Sequence, residues 1–124
     1  MKNIQVTAHI DMEVKASTIV GLLICAFEGG SNYWYDDLKL LERSSKNTVP
    51  SERFYEDMIT HGFSIQDKTC KHCYIIRPDN LVEGIVLMAT QHPKHFMDAQ
   101  NENEDATTGD VYLQLVVHRK VIYG

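Results

Sequence analysis

An apolar run at residues 18–27 predicts a buried helix. Its sequence, T-I-V-G-L-L-I-C-A-F, has no polar face a third of a helix wide, and a helix that is apolar all round is buried. The run is too short to cross a bilayer, which needs about 20 apolar residues. Ser17 is a suitable N-cap, and Gly29 with Gly30 provides a C-terminal stop, because glycine adopts the left-handed conformation easily. The pattern predicts a core helix over residues 18–28.

Strict alternation of apolar and polar residues precedes this helix and predicts a half-buried strand over residues 2–14. One side of that strand would be apolar, with Ile4, Val6, Ala8, Ile10, Met12 and Val14. A strand that is covered by the helix following it is a common start for an α+β domain.

The middle of the chain predicts short helices and strands in turn. Residues 38–41 predict a short strand or turn, followed by an exposed loop that ends at Pro50 and a helix over 52–60 capped by Ser51. Segments 63–66 and 72–77 predict a hairpin. Residues 80–91 then predict a helix with an apolar face, and Pro93 opens a further helical turn with His95, Phe96 and Met97. In the helix over 52–60, Phe54 and Met58 would face inward, with Tyr55 as a further candidate. The apolar face of the helix over 80–91 would carry Leu81, Val82, Ile85, Val86, Met88 and Ala89.

The last quarter of the chain is ambiguous. Residues 98–108 are polar and acidic and predict a mobile loop. Beyond them, the alternation of Val111, Leu113, Leu115 and Val117 fits a strand, whereas a helix capped from Thr108 with a final strand at 121–123 fits as well. The predicted fold class is α+β: a small single domain over residues 1–124, with an antiparallel sheet packed by three to four helices.

Composition narrows the function classes. The 124 residues suit one domain, and 44% hydrophobic with 23% charged residues is ordinary for a soluble protein. A net charge of −5, with no basic tract longer than two residues, disfavours binding to long nucleic acid. The first residues contain no apolar signal region, and three cysteines are an odd count for a disulfide framework. These features predict a cytoplasmic protein without a membrane partner.

Candidate metal and catalytic motifs are weak. Cys70-Lys71-His72-Cys73 has the C-x-x-C spacing of a zinc site, but a closed site needs four ligands and the sequence offers no second pair. Cys25 lies inside the apolar helix and is expected to act as a small hydrophobe. No nucleophile elbow, phosphate loop or zinc-protease motif occurs. We therefore expect no metal, no cofactor and no catalytic residue.

The aromatic cluster Tyr33-Trp34-Tyr35 follows the helix stop directly and is the main candidate for binding. Three consecutive aromatic residues cannot all face one side of an extended segment, so at least one should face a pocket or an interface. Core filling is the alternative. Glu28 lies at the helix C-terminus, where a carboxylate opposes the helix dipole, so it should have another partner. Arg119 could supply a charged hydrogen bond to phosphate.

The segments A-F-E-G-G-S-N-Y-W-Y and D-A-T-T-G-D-V-Y-L-Q…V-I-Y-G resemble a group of small proteins encoded by phages and prophages. Members of this group carry a helix reading A-L-E-G-G-x-x-Y-W and end in T-x-D-x-x-L-Q…I-V-Y-G. The resemblance implies a helix before the final strand. The chain departs from the group at residues 118–120, where H-R-K stands in place of a turn such as F-G-E.

Its size and α+β composition are similar to those of the Thoeris anti-defence proteins, oligomeric sponges that trap a cyclic ADP-ribose-type signal without cleaving it. That resemblance implies stacking on Trp34 and Phe96 and a phosphate contact from Arg119. We expect a ligand pocket between the end of the core helix and the C-terminal segment, across a homo-oligomer interface. The expected site residues are Glu28, Asn32, Tyr33, Trp34, Tyr35, His95, Phe96, Asp110, Gln114 and Arg119.

Two other functions fit the same residues. A protein-binding inhibitor of a bacterial defence system, such as an anti-CRISPR, would present residues 101–110 as an acidic loop that mimics nucleic acid. An enzyme that degrades the signal would use Glu28, His95 or Asp110 as acid and base, and is the least favoured. The expected function is thus non-enzymatic sequestration of a small nucleotide immune signal in the cytoplasm of the host cell.

Overall fold

The structure is a computed structural model, and it describes residues 3–5, 11–43 and 50–124, with the side chains of residues 50–52 excepted. Within these ranges, the chain forms five α-helices and a three-stranded antiparallel sheet of order β1-β2-β3. The predicted α+β fold class is confirmed, with one helix more than predicted. No helix in these ranges has the length and apolar character needed to cross a membrane. The helices are α1 Ala16–Cys25, α2 Pro50–His61, α3 Pro78–Gln91, α4 Pro93–Gln100 and α5 Ala106–His118, and the strands are β1 Tyr35–Leu40, β2 Phe63–Asp67 and β3 His72–Ile76.

Helix α5 lies at the centre of the core. It packs against α1, α3, α4 and the turn that follows α1, and every residue from Val111 to Val117 is buried. Asp105 caps it, because its side chain accepts the amide hydrogen of Thr108 at 2.8 Å. The helical alternative for this segment is confirmed, but its predicted cap at Thr108 is wrong, because the helix begins at Ala106 with Asp105 as its cap. The alternation that suggested a strand is uninformative here, since neighbours cover the helix on all sides.

Helix α1 confirms most of the predicted core helix, but its ends and its burial differ. Lys15 occupies the N-cap position in place of Ser17, and a π-helical turn, Ala26–Gly30, follows the helix. Leu22 and Leu23 are buried, whereas Ile24 is partly exposed. The prediction of a helix buried all round is wrong, because α5 covers one side of α1 and α2 only part of the other.

The predicted N-terminal strand is wrong for residues 3–5 and 11–14, which are in neither strand nor helix. Ile4 is almost fully exposed. Residue 2 and residues 6–10 lie outside the described residues. The alternation thus indicates that the segment is amphipathic, but it does not indicate whether a neighbouring strand pairs with it.

The predicted hairpin is confirmed: β2 pairs with β3 in antiparallel register, with Asp67 opposite His72. The short strand predicted at 38–41 corresponds to β1, which pairs with β2. The register of this pairing shifts between Asp36 and Lys39. Helix α2 already includes Pro50, and its end at Gly62 takes a φ of 90°, which favours glycine. The expected cap by Ser51 and most of the preceding loop lie outside the described side chains and residues.

Helices α3 and α4 confirm the predicted segments, but two residues of the predicted apolar face of α3 are exposed. Val82 and Val86 are 59% and 54% exposed, and Met97 of α4 is 60% exposed. The buried stripe of α3 is narrow because Gly84 brings α5 close: a Cβ at Gly84 would lie 2.5 Å from a methyl group of Val116. The predicted loop over 98–108 is largely wrong, since α4 continues to Gln100 and α5 starts at Ala106. The final strand at 121–123 does not form, and residues 119–124 have no helix or strand.

Candidate functional site

The carboxylate of Asp110 joins the corner after α1 to helix α5. Its Oδ1 accepts hydrogen bonds from Ser31 Oγ at 2.7 Å and Trp34 Nε1 at 2.8 Å. Its Oδ2 accepts from Tyr33 OH at 2.6 Å and Gln114 Nε2 at 3.1 Å. A carboxylate offers about four acceptor positions. All four of them are therefore engaged by protein donors.

Gln114 holds the segment that follows α5. Its side chain is fully buried, and its Oε1 accepts the backbone amides of Ile122 and Tyr123, both at 2.8 Å. Its Nε2 donates to the carbonyl oxygen of Tyr123 at 3.2 Å as well as to Asp110. The amide side chain thus pairs with the backbone as a neighbouring strand would. Gln114 therefore holds residues 122 and 123 against α5, although residues 121–124 form no strand.

Tyr123 connects the same segment to the sheet. Its hydroxyl donates to Asp67 Oδ2 and lies beside Thr69 Oγ1, each at 2.5 Å. Its ring centroid is 5.7 Å from that of Trp34 and 5.7 Å from that of His118. His118 Nε2 in turn lies 3.0 Å from Asp67 Oδ2. The Asp67 carboxylate of β2 therefore lies next to both helix α5, through His118, and the final segment, through Tyr123.

The charges of this cluster follow from burial and hydrogen bonding. Burial alone would raise the pKa of Asp67, but hydrogen bonds from Thr69 and Tyr123 and the nearby His118 outweigh it, so the pKa lies below its ordinary value. Burial lowers the pKa of His118 more than Asp67 raises it. At neutral pH a carboxylate therefore faces a neutral imidazole.

Burial and hydrogen bonding also keep the hydroxyl of Tyr33 protonated at neutral pH. Burial and the hydrogen bond to Asp110 raise the pKa of Tyr33 to about 12. The residue is nevertheless 48% exposed, so its hydroxyl is fixed to the protein while the side chain remains accessible.

A close backbone contact joins the π-helical turn after α1 to the start of α5. A Cβ at Gly30 would lie 2.1 Å from the carbonyl oxygen of Ala106, the first residue of α5. Only a residue without a side chain permits this approach. The contact fixes the π-helical turn against the start of α5 and so positions Ser31, Tyr33 and Trp34 opposite Asp110.

A cleft of about 600 Å³ lies between the π-helical turn, α5 and residues 121–124. We call it the Asp110 cleft. Tyr33, Asp110 and Gln114 from the predicted site line it. The remaining wall residues are Gly29, Gly30, Ala106, Thr107, Val111, Val121, Tyr123 and Gly124.

The other predicted aromatic residues do not reach this cleft as stacking surfaces. Trp34 is 0% exposed, with only its indole N–H directed to Asp110. Tyr35 donates to the carbonyl oxygen of Phe27 at 2.9 Å, and Phe96 is buried in the core. The expected stacking on Trp34 and Phe96 is therefore wrong in this conformation, because other side chains cover both rings.

The polar residues of the predicted site are dispersed. Asn32 is exposed and its carbonyl oxygen accepts from Lys68 Nζ at 2.8 Å. His95 Nδ1 lies 3.0 Å from Thr108 Oγ1. Arg119 forms an ion pair with Glu83 on the surface and does not line the cleft, so its expected phosphate contact there is not supported.

Glu28 lies at a different groove. The sequence predicts a partner for its carboxylate without identifying it, and in the structure that partner is Tyr55, whose hydroxyl donates to Oε2 at 2.8 Å. Both line a groove of about 710 Å³ between α1 and α2, with Val20, Ile24 and Ile59 as apolar walls. Glu28 and Asp110 are therefore not parts of one site.

The C-x-x-C hairpin shows no metal-binding arrangement. Both cysteines are exposed free thiols, Cys70 in the β2–β3 turn and Cys73 in β3. In the described ranges, no group of three or more histidine, cysteine or acidic side chains is positioned to hold a metal ion.

Sequence reasoning missed Ser31, Tyr123 and the role of Gly30. Ser31 and Gly30 stand in the E-G-G-S segment and Tyr123 in the final I-Y-G, so the two motifs that carried the resemblance contain them. A pattern of this kind identifies segments, but hydrogen bonds between residues almost eighty positions apart identify the partners. In comparisons with protein-family models, curated proteins and solved structures, the chain has no significant match.

Proposed function

We propose that this protein binds a small nucleotide-derived ligand in the Asp110 cleft and holds it without chemical change, as a phage-encoded counter-defence sponge would. The observation that carries the proposal is the cleft itself, which lies at the corner between the end of the first helix and the segment after α5. Its volume of about 600 Å³ is within the range of about 300–1,000 Å³ typical of small-molecule sites.

The wall chemistry favours the base or sugar of such a ligand over its phosphate. Asp110 is the one formally charged side chain among the described lining residues, and no lysine or arginine lies with it. A phosphate beside this carboxylate would be repelled. The exposed ring of Tyr33 offers a face on which a base can stack, a contact worth about 1–3 kcal/mol. The phosphates would then point toward solvent.

Binding without turnover is supported by the state of the polar groups. A general base needs a free lone pair within hydrogen-bond reach of the substrate proton. The lone pairs of Asp110 are engaged by Ser31, Tyr33, Trp34 and Gln114, and both ends of the Gln114 amide are engaged as well. Such a network makes the site rigid, which favours affinity, and leaves no evident group for proton transfer.

A thermal-melt screen tests the proposal. The compounds are adenosine, guanosine, their 5′-monophosphates, cyclic ADP-ribose and NAD. A ligand at about 100 times its dissociation constant adds about 2.7 kcal/mol of stability. We expect at least one of them to raise the melting temperature by several degrees, to be recovered intact, and to lose its effect in Tyr33→Ala.

Arg53→Ala is the control variant, because Arg53 of α2 pairs with Glu56 on the surface and does not line the cleft, so its loss should leave the shift unchanged. Recovery of a chemically altered ligand would show that the protein is an enzyme and not a sponge. Absence of any shift across the whole set would overturn nucleotide binding.

A protein-binding inhibitor is a second candidate, supported by one surface. Val82 and Val86 lie one helical turn apart on α3 and are both more than half exposed. The acidic-loop version is not supported, because Asp105 caps α5 and Asp110 is engaged in the cleft. Val82→Ser with Val86→Ser would abolish counter-defence activity in a phage plating assay if this surface acts, while ligand binding stays intact. The homo-oligomer remains a prediction that light scattering would test.

A further inference from the structure

We propose that residues 119–124 form a hinged strap that opens and closes the Asp110 cleft and so controls access to it. As a statement about ligand entry, this rests on the proposed function. As a statement about the motion of the strap, it stands on the geometry of the chain alone.

The strap has a defined hinge. Arg119 ends α5 in a left-handed conformation, with φ 66° and ψ 2°, and no helix or strand follows it. The Arg119 guanidinium is paired with Glu83 of α3, so the hinge residue itself is tied to the helical core. Motion therefore begins after Arg119, where neither helical nor sheet hydrogen bonds restrain the backbone.

The inner anchor of the strap is its set of hydrogen bonds to Gln114, which can break and form again without disturbing the rest of the fold. The backbone of Ile122 and Tyr123 is held by the side chain of Gln114, which belongs to α5. These contacts join a side chain to a backbone, so their loss leaves the helix ladder and the sheet ladder intact. When the strap leaves, Gln114 keeps its bond to Asp110 and the cleft floor stays assembled.

The outer anchor is a single hydroxyl. Tyr123 OH donates to Asp67 Oδ2, while the backbone amide of Thr69 donates to Oδ1 of the same carboxylate independently of the strap. A hydrogen bond to a carboxylate is among the stronger ones in proteins. The receiving site is thus retained when Tyr123 departs, as a latch that closes repeatedly requires.

The strap is also a wall of the cleft. Val121, Tyr123 and Gly124 line one side of it, and the Tyr123 ring lies 5.7 Å from the fully buried ring of Trp34. Opening removes this wall and uncovers Trp34 from the cleft side. Because Trp34 is the single tryptophan of the chain, its fluorescence reports the opening directly.

The test uses the full chain without any ligand, so its result is independent of the compound screen. Tyr123→Phe removes the outer anchor and keeps the ring. The matched control is Tyr35→Phe, which removes a tyrosine hydroxyl bonded to the Phe27 carbonyl beside Trp34 but outside the strap. The readouts are acrylamide quenching of Trp34 and hydrogen exchange of the Ile122 and Tyr123 amides.

We expect Tyr123→Phe to raise the exchange rates of these two amides about tenfold, the population change expected from one hydrogen bond to a charged group, and to increase quenching. Tyr35→Phe should leave both readouts at wild-type values. As a second variant, Ile122→Pro removes one amide that Gln114 binds and should open the strap further.

Two results would overturn the strap. One is unchanged quenching and exchange in both strap variants. The other is an equal increase in Tyr35→Phe, which would indicate general loosening of the core around Trp34. A failed compound screen together with the expected strap behaviour would reject the proposed ligand class and retain the hinge.

Discussion

Gly109 of α5 lies directly against Cys25 of α1. A Cβ at position 109 would be 2.6 Å from the Cβ of Cys25 and 2.6 Å from the amide nitrogen of Ala26. These distances are too short for any side chain, and part of the obstacle is backbone that cannot rotate away. The two helices can therefore approach this closely only because residue 109 is glycine.

Gly109→Ala should destabilise the protein by about 3 kcal/mol, the upper range for overpacking a core. The control is Gly29→Ala, where an added Cβ meets nothing within 4 Å. Urea unfolding followed by circular dichroism measures both. Equal stability of the two variants would show that α1 and α5 can separate without cost.

Removal of the Asp110 carboxylate should leave several donors without a partner. Ser31, Trp34 and Gln114 all direct hydrogen to it from partly or fully buried positions. We expect Asp110→Ala to cost about 3 kcal/mol, since each stranded buried group costs about 1–3 kcal/mol. Asp110→Asn keeps the shape and one acceptor oxygen and should cost less. A loss below about 1 kcal/mol in the alanine variant would contradict the network.

Substitution of Trp34 should affect folding before it affects binding. The ring is fully buried among Tyr35, His118 and Tyr123. Trp34→Ala should lower the free energy of unfolding by about 3–5 kcal/mol, as for other large-to-small core changes. Tyr33→Ala, with a half-exposed ring, should cost much less. Chemical denaturation of both variants would decide whether Trp34 is a core residue or a ligand surface.

The ionisation of Tyr33 gives a pH prediction. Its pKa is raised to about 12 by burial and by Asp110, so the folded state holds the proton more tightly than the unfolded state does. The resulting stability is complete below the unfolded value of about 10 and is lost as the pH rises from there to the folded value. Tyr33→Phe should flatten this alkaline loss. Carbon NMR of labelled tyrosine rings would follow the titration, and an ordinary pKa for Tyr33 would refute it.

The ionisation of Asp67 gives a prediction for the acid side of the dependence of stability on pH. Its pKa is lowered, so its contribution is present above the unfolded value of about 3.9 and is lost as the pH falls through the folded value. Asp67→Asn should cost about 2 kcal/mol at neutral pH, because the bonds from Tyr123 and Thr69 lose their charged acceptor. It should also reduce the acid sensitivity below pH 4. Identical acid profiles for wild type and variant would contradict this assignment.

Several elements could be predicted because the local signals were strong. The hairpin has two apolar segments around a polar turn, and α3 has Pro78 at its start followed by apolar residues at helical spacing. Helix α5 could be predicted through the resemblance of its segment, although its periodicity was ambiguous and its cap is Asp105 rather than Thr108. The corner that carries the cleft was also predicted, because a glycine stop followed by three aromatic residues marks a place where the chain turns.

The failures share one physical origin. Alternation at residues 2–14 and the apolar positions Val82 and Val86 report which side of a segment is hydrophobic, but they do not report whether another element covers that side. The same limit applies to Trp34 and Tyr33: the sequence required that adjacent aromatics diverge, and it did not determine which of them would be buried.

The sequence by itself determined the α+β class, the hairpin, most helices and the corner at which to look for a site. The tertiary structure decided which polar groups meet there, because those groups come from segments almost eighty residues apart. Their distances depend on how closely α1 and α5 approach, and the missing side chains of Gly30 and Gly109 set that approach. It also decided that Gln114 holds residues 122 and 123 in place of a strand. A buried amide can pair with any backbone brought beside it, so only packing could select the partner.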